Sequence, residues 1–196
     1  MDNSATTRAY PEVAALVSDI MLNTYGNQSS MHMKGVEAEN YINDAKKKIA
    51  KTLRVQDKEI LFTSGGTESD NWALVQAVRL NPDKKHIIII RIEHHAILHT
   101  AQALRLEGCE VTVLGVDELG RINPKDIEDA IRPDTALISV MTANNEIGTI
   151  EPIEEIGRIA HEHGVLFHTD AVQAFGQIPL DVNKLNVDLL SASAHK

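Results

Sequence analysis

Lys196 and Asp170 are the residues of this 196-residue chain whose types and spacing most directly allow chemistry. Lys196 closes Ser191-Ala192-Ser193-Ala194-His195-Lys196, which follows the apolar residues Val187, Leu189 and Leu190. Asp170 closes His168-Thr169-Asp170, which follows Val165-Leu166-Phe167. A lysine amine at the end of one strand can hold an aldehyde cofactor as an imine. A carboxylate at the end of the preceding strand can face the nitrogen of its ring, keep it protonated and make the ring a stronger electron sink. Those are the two needs of a pyridoxal-phosphate site. Out of that context Lys196 is a solvated charge, and Asp170 is an N-cap for the next helix.

Other polar groups gather in similar places. In Ser64-Gly65-Gly66-Thr67-Glu68-Ser69 the glycines let backbone approach a ligand, and exposed N–H groups at a helix start attract an anion. The Thr67 hydroxyl offers a further donor, although an ordinary glycine turn with Thr67 or Ser69 as N-cap accounts for the same residues. Glu93-His94-His95 follows an apolar run, where an imidazole can stack on an aromatic cofactor and move protons near neutral pH. A solvated loop histidine is the plain alternative. His95 and His99 are spaced to clip a metal on a helix, but no third ligand has fitting spacing, and no metal site is expected. Asn144-Asn145-Glu146-Ile147-Gly148 can orient a ring substituent through its amides, or form a turn. Gln173 follows Asp170, and Ser193 can meet a phosphate. His168 reads as a satisfied core residue, while His161 and His163 sit where a helix dipole favours them.

The elements that would position these groups alternate along the chain. Val13, Leu16, Val17, Ile20 and Met21 recur at helical spacing before Gly26. Ile42, Ala45, Ile49 and Leu53 mark a second helix, and Ile60-Leu61-Phe62 reads as a short buried strand. A helix follows through Trp72, Val75 and Val78, then strands at 87–90, 111–114 and 136–141. Between and after them lie helical faces with Ile97, Ala101 and Leu104, with Ile127, Ala130 and Ile131, and with Ile153, Ile156, Ile159 and Ala160. Short runs apolar on both faces and separated by helices predict an α/β fold, a largely parallel sheet sandwiched by helices. Such sheets bind ligands at the strand C-terminal ends.

Composition narrows the function classes. A net charge of −9 argues against nucleic-acid partners and anionic membranes. No apolar run is long enough to span a bilayer and the start lacks a signal-peptide pattern, so a cytoplasmic location is expected. Cys109 is the single cysteine, so no intrachain disulfide forms.

Taken together the motifs resemble the pyridoxal-phosphate cysteine desulfurases of the NifS/IscS type, in the class-V aminotransferase family of fold type I. The resemblance rests on Asp2 to Thr7, Gly26 to His32, Phe62 to Asn71, Glu93-His94, Asn144 to Thr149, and Asp170 to Gln173 through Ser193 to Lys196. Gln28 stands where the family usually has proline. It implies that Gly66 and Thr67 hold the phosphate of pyridoxal 5′-phosphate, with Ser193 and His195 helping. It implies that His94 stacks on the ring, that Asn145 contacts substrate or cofactor, and that Gln173 contacts the ring hydroxyl. Asp170 would pair with the ring nitrogen and Lys196 would carry the cofactor. The implied reaction takes sulfur from L-cysteine, leaves L-alanine and an enzyme persulfide, and passes sulfur to acceptors such as an iron–sulfur scaffold. Selenocysteine lyase, another aminotransferase of the fold, or a non-catalytic fragment are the alternatives.

The family chain is roughly twice as long. The resemblance therefore implies an N-terminal segment at 1–15 and an incomplete cofactor-binding large domain at 16–196. The small domain, the carboxylate-binding arginine and the persulfide cysteine would lie beyond Lys196. Cys109 reads as an inert, partly buried thiol. A homodimer, or association with a complementary chain, is expected, with little activity from this chain alone.

Overall fold

Ile87, Ile88, Ile89 and Ile90 are β-branched residues that suit a pleated strand, and all four are buried. In the computed structural model, which describes residues 2–196, they form β1 (His86–Ile90), an interior strand of a five-stranded sheet. The other strands are β2 (Glu110–Leu114), β3 (Thr135–Ser139), β4 (Leu166–Asp170) and β5 (Leu189–Ser191). Their order is β2-β1-β3-β4-β5, and every pairing is parallel. Parallel pairing needs crossovers, supplied by α4 (His95–Leu106), α5 (Pro124–Ala130) and α6 (Ile153–Glu162), while α3 (Gly66–Arg79) precedes β1.

Alternation along each strand divides the core. Ile87, Ile89 and Leu137 pack with Leu74 and Ala77 of α3 and with Ile97, Ala101 and Leu104 of α4. Ile88, Ile90, Ile138 and Phe167 pack with Ile127 of α5 and with Ile156 and Ala160 of α6. Each isoleucine buried in this way is worth about 2–3 kcal/mol of transfer free energy. The sheet is thus covered on both faces, as the double-sided apolar runs require. At the start of β1, buried His86 bonds Thr135 Oγ1 through Nδ1 and Thr112 Oγ1 through Nε2, both at 2.8 Å. Burial pushes its pKa down, so the imidazole is a neutral stitch across three strands.

The chain runs from β1 outward to β2, then returns past β1 to β3. Right-handed crossovers place helices on opposite faces when the direction of travel reverses. The reversal leaves a crevice at the C-terminal ends of β1 and β3.

The described chain divides into two compact units: residues up to Phe62 with His195, and residues 63–194 with Lys196. The first contains α1 (Pro11–Asn23), α2 (Met33–Leu53) and a single 3₁₀ turn (Asp57–Glu59). Pro11 starts α1 where its missing N–H is harmless, yet α1 buries no residue, and Val13, Leu16, Val17 and Met21 are all exposed. The expected strand at Ile60-Leu61-Phe62 does not form. These residues lie outside the sheet as coil, with Leu61 66% and Phe62 54% exposed. Three apolar residues in a row report hydrophobicity without a pairing partner, and pairing is what makes a strand. Among the described residues no helix is long and apolar enough to cross a membrane.

Candidate functional site

The motif-bearing segments all leave the same edge of the sheet. Glu93-His94 follows β1, Asn144-Asn145 follows β3, Asp170 ends β4, and Ser193 and Lys196 follow β5. These four strands are neighbours in that order. At about 4.8 Å between strands, the row from β1 to β5 spans roughly 14 Å.

α3 brings the glycine turn to this edge. A Cβ built on Gly66 would lie 2.8 Å from Val172 Cγ2, so only a glycine lets the helix start sit this close to the turn after Asp170. The N-cap is Gly65, with no side-chain cap, so neither Thr67 nor Ser69 caps the helix. Ser69 instead shares a 2.8 Å hydrogen bond with Thr63. Glu68 turns back to accept from the Ser64 N–H at 2.6 Å and the Ser64 hydroxyl at 2.8 Å, which lowers its pKa. Open space remains beside Gly65. An uncapped helix start with room next to it suits an anion.

At the β1 end His94 caps α4, its Nδ1 accepting from the Ala96 N–H at 3.2 Å, with the ring exposed. Glu93 is buried, and its Oε1 accepts from the Met141 N–H at 3.0 Å. Burial first, and the like charge of Asp170 second, raise its pKa well above the ordinary glutamate value. Its hydrogen bond to Met141 ties the β1 end to the β3 end. Asn144 does similar work: Nδ2 donates to the Ile92 carbonyl at 2.8 Å, and Oδ1 accepts from the Glu146 and Ile147 N–H groups. With Gly148 at φ +73° this is the turn that the sequence allowed, built by Asn144. It leaves Asn145 half-buried, with Nδ2 on Glu146 Oε1 at 2.9 Å.

Asp170 is 4% exposed, and its Oδ1 accepts from the Val172 N–H at 2.9 Å. The local turn-capping alternative thus coexists with burial at the strand end. Burial raises its pKa, while the Val172 N–H and His94 oppose the rise. Thr142 and Thr169 fasten the β3 and β4 ends through a 2.7 Å hydroxyl pair, and Thr142 N–H donates to the Asp170 carbonyl at 2.8 Å. Gln173, Ser193 and Lys196 are half-buried, and Gln177 Nε2 reaches the Lys196 carbonyl at 3.4 Å. His195 groups with the N-terminal unit, where its carbonyl accepts from the Thr7 hydroxyl.

The histidines separate by environment. His168 is fully buried, with Nδ1 2.9 Å from Ser139 Oγ and Nε2 3.0 Å from Ser191 Oγ, and burial pushes its pKa down to about 3. It is a core residue. His163 caps α6, with Nδ1 2.9 Å from the Ile159 carbonyl. The His95 and His99 rings lie 5.4 Å apart on α4, and no group of three metal-ligating side chains occurs among the described residues.

Cys109 is buried just before β2, at the opposite edge of the sheet, and burial raises its thiol pKa. Two acids of the site edge were not singled out from sequence. One is Glu93, named only as a neighbour of His94. The other is Asp70, which shares the buried stripe of α3 with Leu74 and Ala77. An acid at that spacing on an apolar face is a readable signal.

Chemically, the uncapped α3 start beside Gly65 can meet an anionic group, and the buried Asp170 carboxylate can meet a protonated ring nitrogen.

Known proteins resemble this chain over its whole length. The family model for class-V aminotransferases matches residues 1–196. A cysteine desulfurase IscS of Methanosarcina thermophila is 54% identical over the whole chain, which covers 49% of that protein. A mitochondrial cysteine desulfurase of Saccharomyces cerevisiae is 48% identical, again over the whole chain and 40% of the relative. Among solved structures, SspA in complex with cysteine superposes with a TM-score of 0.96 at 39% identity, over 99% of this chain and 56% of that one. A NifS-like protein superposes at 0.95 with 41% identity, over 99% and 54%. The chain spans about half the length of the curated relatives it matches.

Proposed function

The chain belongs to the class-V aminotransferase family, and from that premise we propose that it is the cofactor-holding part of a pyridoxal-phosphate-dependent cysteine desulfurase. The observation that carries the reading is the row of four neighbouring strand ends bearing His94, Asn145, Asp170 and Lys196, with Gly66 against the turn after Asp170. When bound, pyridoxal phosphate supplies the electron sink that lets bonds at an amino-acid carbon break. The chain supplies the rest. The α3 N–H groups, Gly66 and Thr67, with Ser193 and His195, hold the phosphate. Asp170 holds the ring nitrogen protonated, Gln173 meets the ring hydroxyl, and Asn145 meets cofactor or substrate. His94 stacks on the ring and moves protons. Lys196 would hold the cofactor covalently, and its amine would take up and return protons beside the substrate.

L-cysteine is the proposed substrate, with L-alanine as product and sulfur passed to acceptor proteins such as an iron–sulfur scaffold. None of these residues is a sulfur acceptor, and Cys109, buried at the opposite edge of the sheet with a raised pKa, does not serve as the persulfide thiol. A homodimer and a cytoplasmic site of action belong to the same proposal.

The test is spectroscopic. Purified chain mixed with pyridoxal phosphate should acquire a visible band that borohydride bleaches and that Lys196→Ala abolishes. With L-cysteine it should form no persulfide on Cys109. No band in the folded wild type, or a band that survives Lys196→Ala unchanged, would overturn the assignment.

A further inference from the structure

Asp70 is a buried acid that none of the proposed roles uses. It is 1% exposed on α3, one turn inside the helix that starts at Gly66. The Ser191 hydroxyl hydrogen-bonds its carboxyl group. Its Oδ1 has no hydrogen-bond partner and lies 3.8 Å from His168 Nε2. An oxygen buried in this way loses its water without replacement, which is costly unless the group is neutral or serves a site.

The charged neighbours are few and come from every side. β4 presents His168 and Asp170, and the segment before α4 presents Glu93 and His94. β3 and β5 present the hydroxyls of Ser139 and Ser191. On α3 itself Glu68 is turned to Ser64. His168 is uncharged at neutral pH and so is no counter-ion. Burial disfavours the charged form of Glu93. The remaining partner is Asp170, which lies two residues beyond His168 on the same face of β4 and pairs across the sheet with Ser191, and whose like charge opposes ionisation of Asp70.

We propose that Asp70 is a positioning residue acting through Asp170: by ionising, it adds a second negative charge that tightens the hold of the site on a protonated ring nitrogen. This rests on the cofactor reading above. Burial and Asp170 together raise the Asp70 pKa to about 7, so the charge is switched near neutrality. A cationic ring nitrogen beside Asp170 cancels the repulsion. Asp70 then gives its proton to solvent, and the carboxylate that remains faces the cation through the Asp170 pair. The Ser191 bond holds Asp70 in place, at the strand that leads to Lys196.

The experiment compares two ligands on wild type and Asp70→Asn. One is pyridoxine 5′-phosphate, which has no aldehyde and so does not involve the Lys196 amine. The other is its 1-deaza analogue, in which C–H replaces the ring nitrogen. The ratio of their dissociation constants isolates the ring nitrogen from the phosphate. Dividing the wild-type ratio by the Asp70→Asn ratio then removes the titration of the ring itself. This quotient should be near one at about pH 5.5 and should favour wild type by roughly ten-fold at about pH 8. Asn keeps the shape and an acceptor for Ser191, so a purely structural role would give a constant quotient at every pH, which overturns the proposal. Asp70→Ser, which also lacks the charge, should reproduce the Asn profile if Asn perturbs the fold. If folded wild type binds neither phosphate, both this proposal and the cofactor reading fail. If it binds both ligands equally at every pH, the Asp170 pairing fails and the Asp70 role falls with it.

Discussion

Replacing Asp70 by Asn should stabilise the protein, and by an amount that depends on pH. The Asp70 carboxyl rises from an ordinary 3.8 to about 7 in the folded state, chiefly through burial. The native state therefore holds this proton more tightly than the unfolded chain. Below about pH 4 both states are protonated and there is no penalty. As pH rises toward 7 the unfolded chain loses its proton first, and native stability falls. Above 7 both are ionised and the loss is complete. The rise from 3.8 to about 7, at about 1.36 kcal/mol per tenfold change in proton affinity, sets an upper bound of about 4 kcal/mol. Asn does not titrate, retains an acceptor for Ser191 and relieves the repulsion on Asp170. The gain from Asp70→Asn should thus be small near pH 4.5 and approach about 2–4 kcal/mol near pH 8. Urea unfolding at several pH values reads this directly, with Trp72, the single tryptophan, reporting from α3. A gain independent of pH, or a loss of stability near pH 8, would refute the reasoning. Either result would mean that Asp70 is ionised and satisfied in the native state. A buried acid retained against stability fits a site residue.

Other predictions follow from single contacts. Asp170→Asn removes a charge-assisted bond of about 1.5–3 kcal/mol, so pyridoxine 5′-phosphate should bind roughly 10- to 150-fold more weakly, while binding of the 1-deaza analogue changes little. Calorimetric titration checks both. Gly157→Ala places a Cβ 1.9 Å from the Leu185 carbonyl oxygen, which is backbone and cannot rotate away. α6 must shift, and a stability loss of about 1–3 kcal/mol should appear in urea unfolding. Glu93→Gln keeps an acceptor for the Met141 N–H and removes an acid whose pKa burial raises. Stability should therefore gain toward higher pH, and a loss at high pH would show that Glu93 is ionised and paired.

Much of the fold was legible because its signals are local. The strands at 87–90 and 111–114 and the helical faces of α4 and α6 follow from periodicity alone, since burial on a sheet or helix repeats at a known spacing. The missed strand at 60–62 marks the boundary of that method. Its residues are apolar but pair with nothing, and pairing is a property of another part of the chain. α1 shows the same boundary from the other side: its stripe was read correctly as helix, yet nothing within its unit buries it.

The sequence by itself determined the chemistry on offer: an imine-capable Lys196, an acid at Asp170, a glycine-rich helix start at Gly65-Gly66, and polar residues after each apolar run. Motif order along the chain was enough to identify the family. Only the tertiary structure decided which of these groups share an edge. The order β2-β1-β3-β4-β5 sets the ends of β1, β3, β4 and β5 side by side, although β2 intervenes in sequence. The structure also decided charge. Asp70, Glu93 and His168 look like ordinary ionisable residues in the chain, and the charged form of each is disfavoured only because the sheet and α3 close over it. Spacing along a chain carries which groups exist, whereas desolvation depends on everything that packs around them.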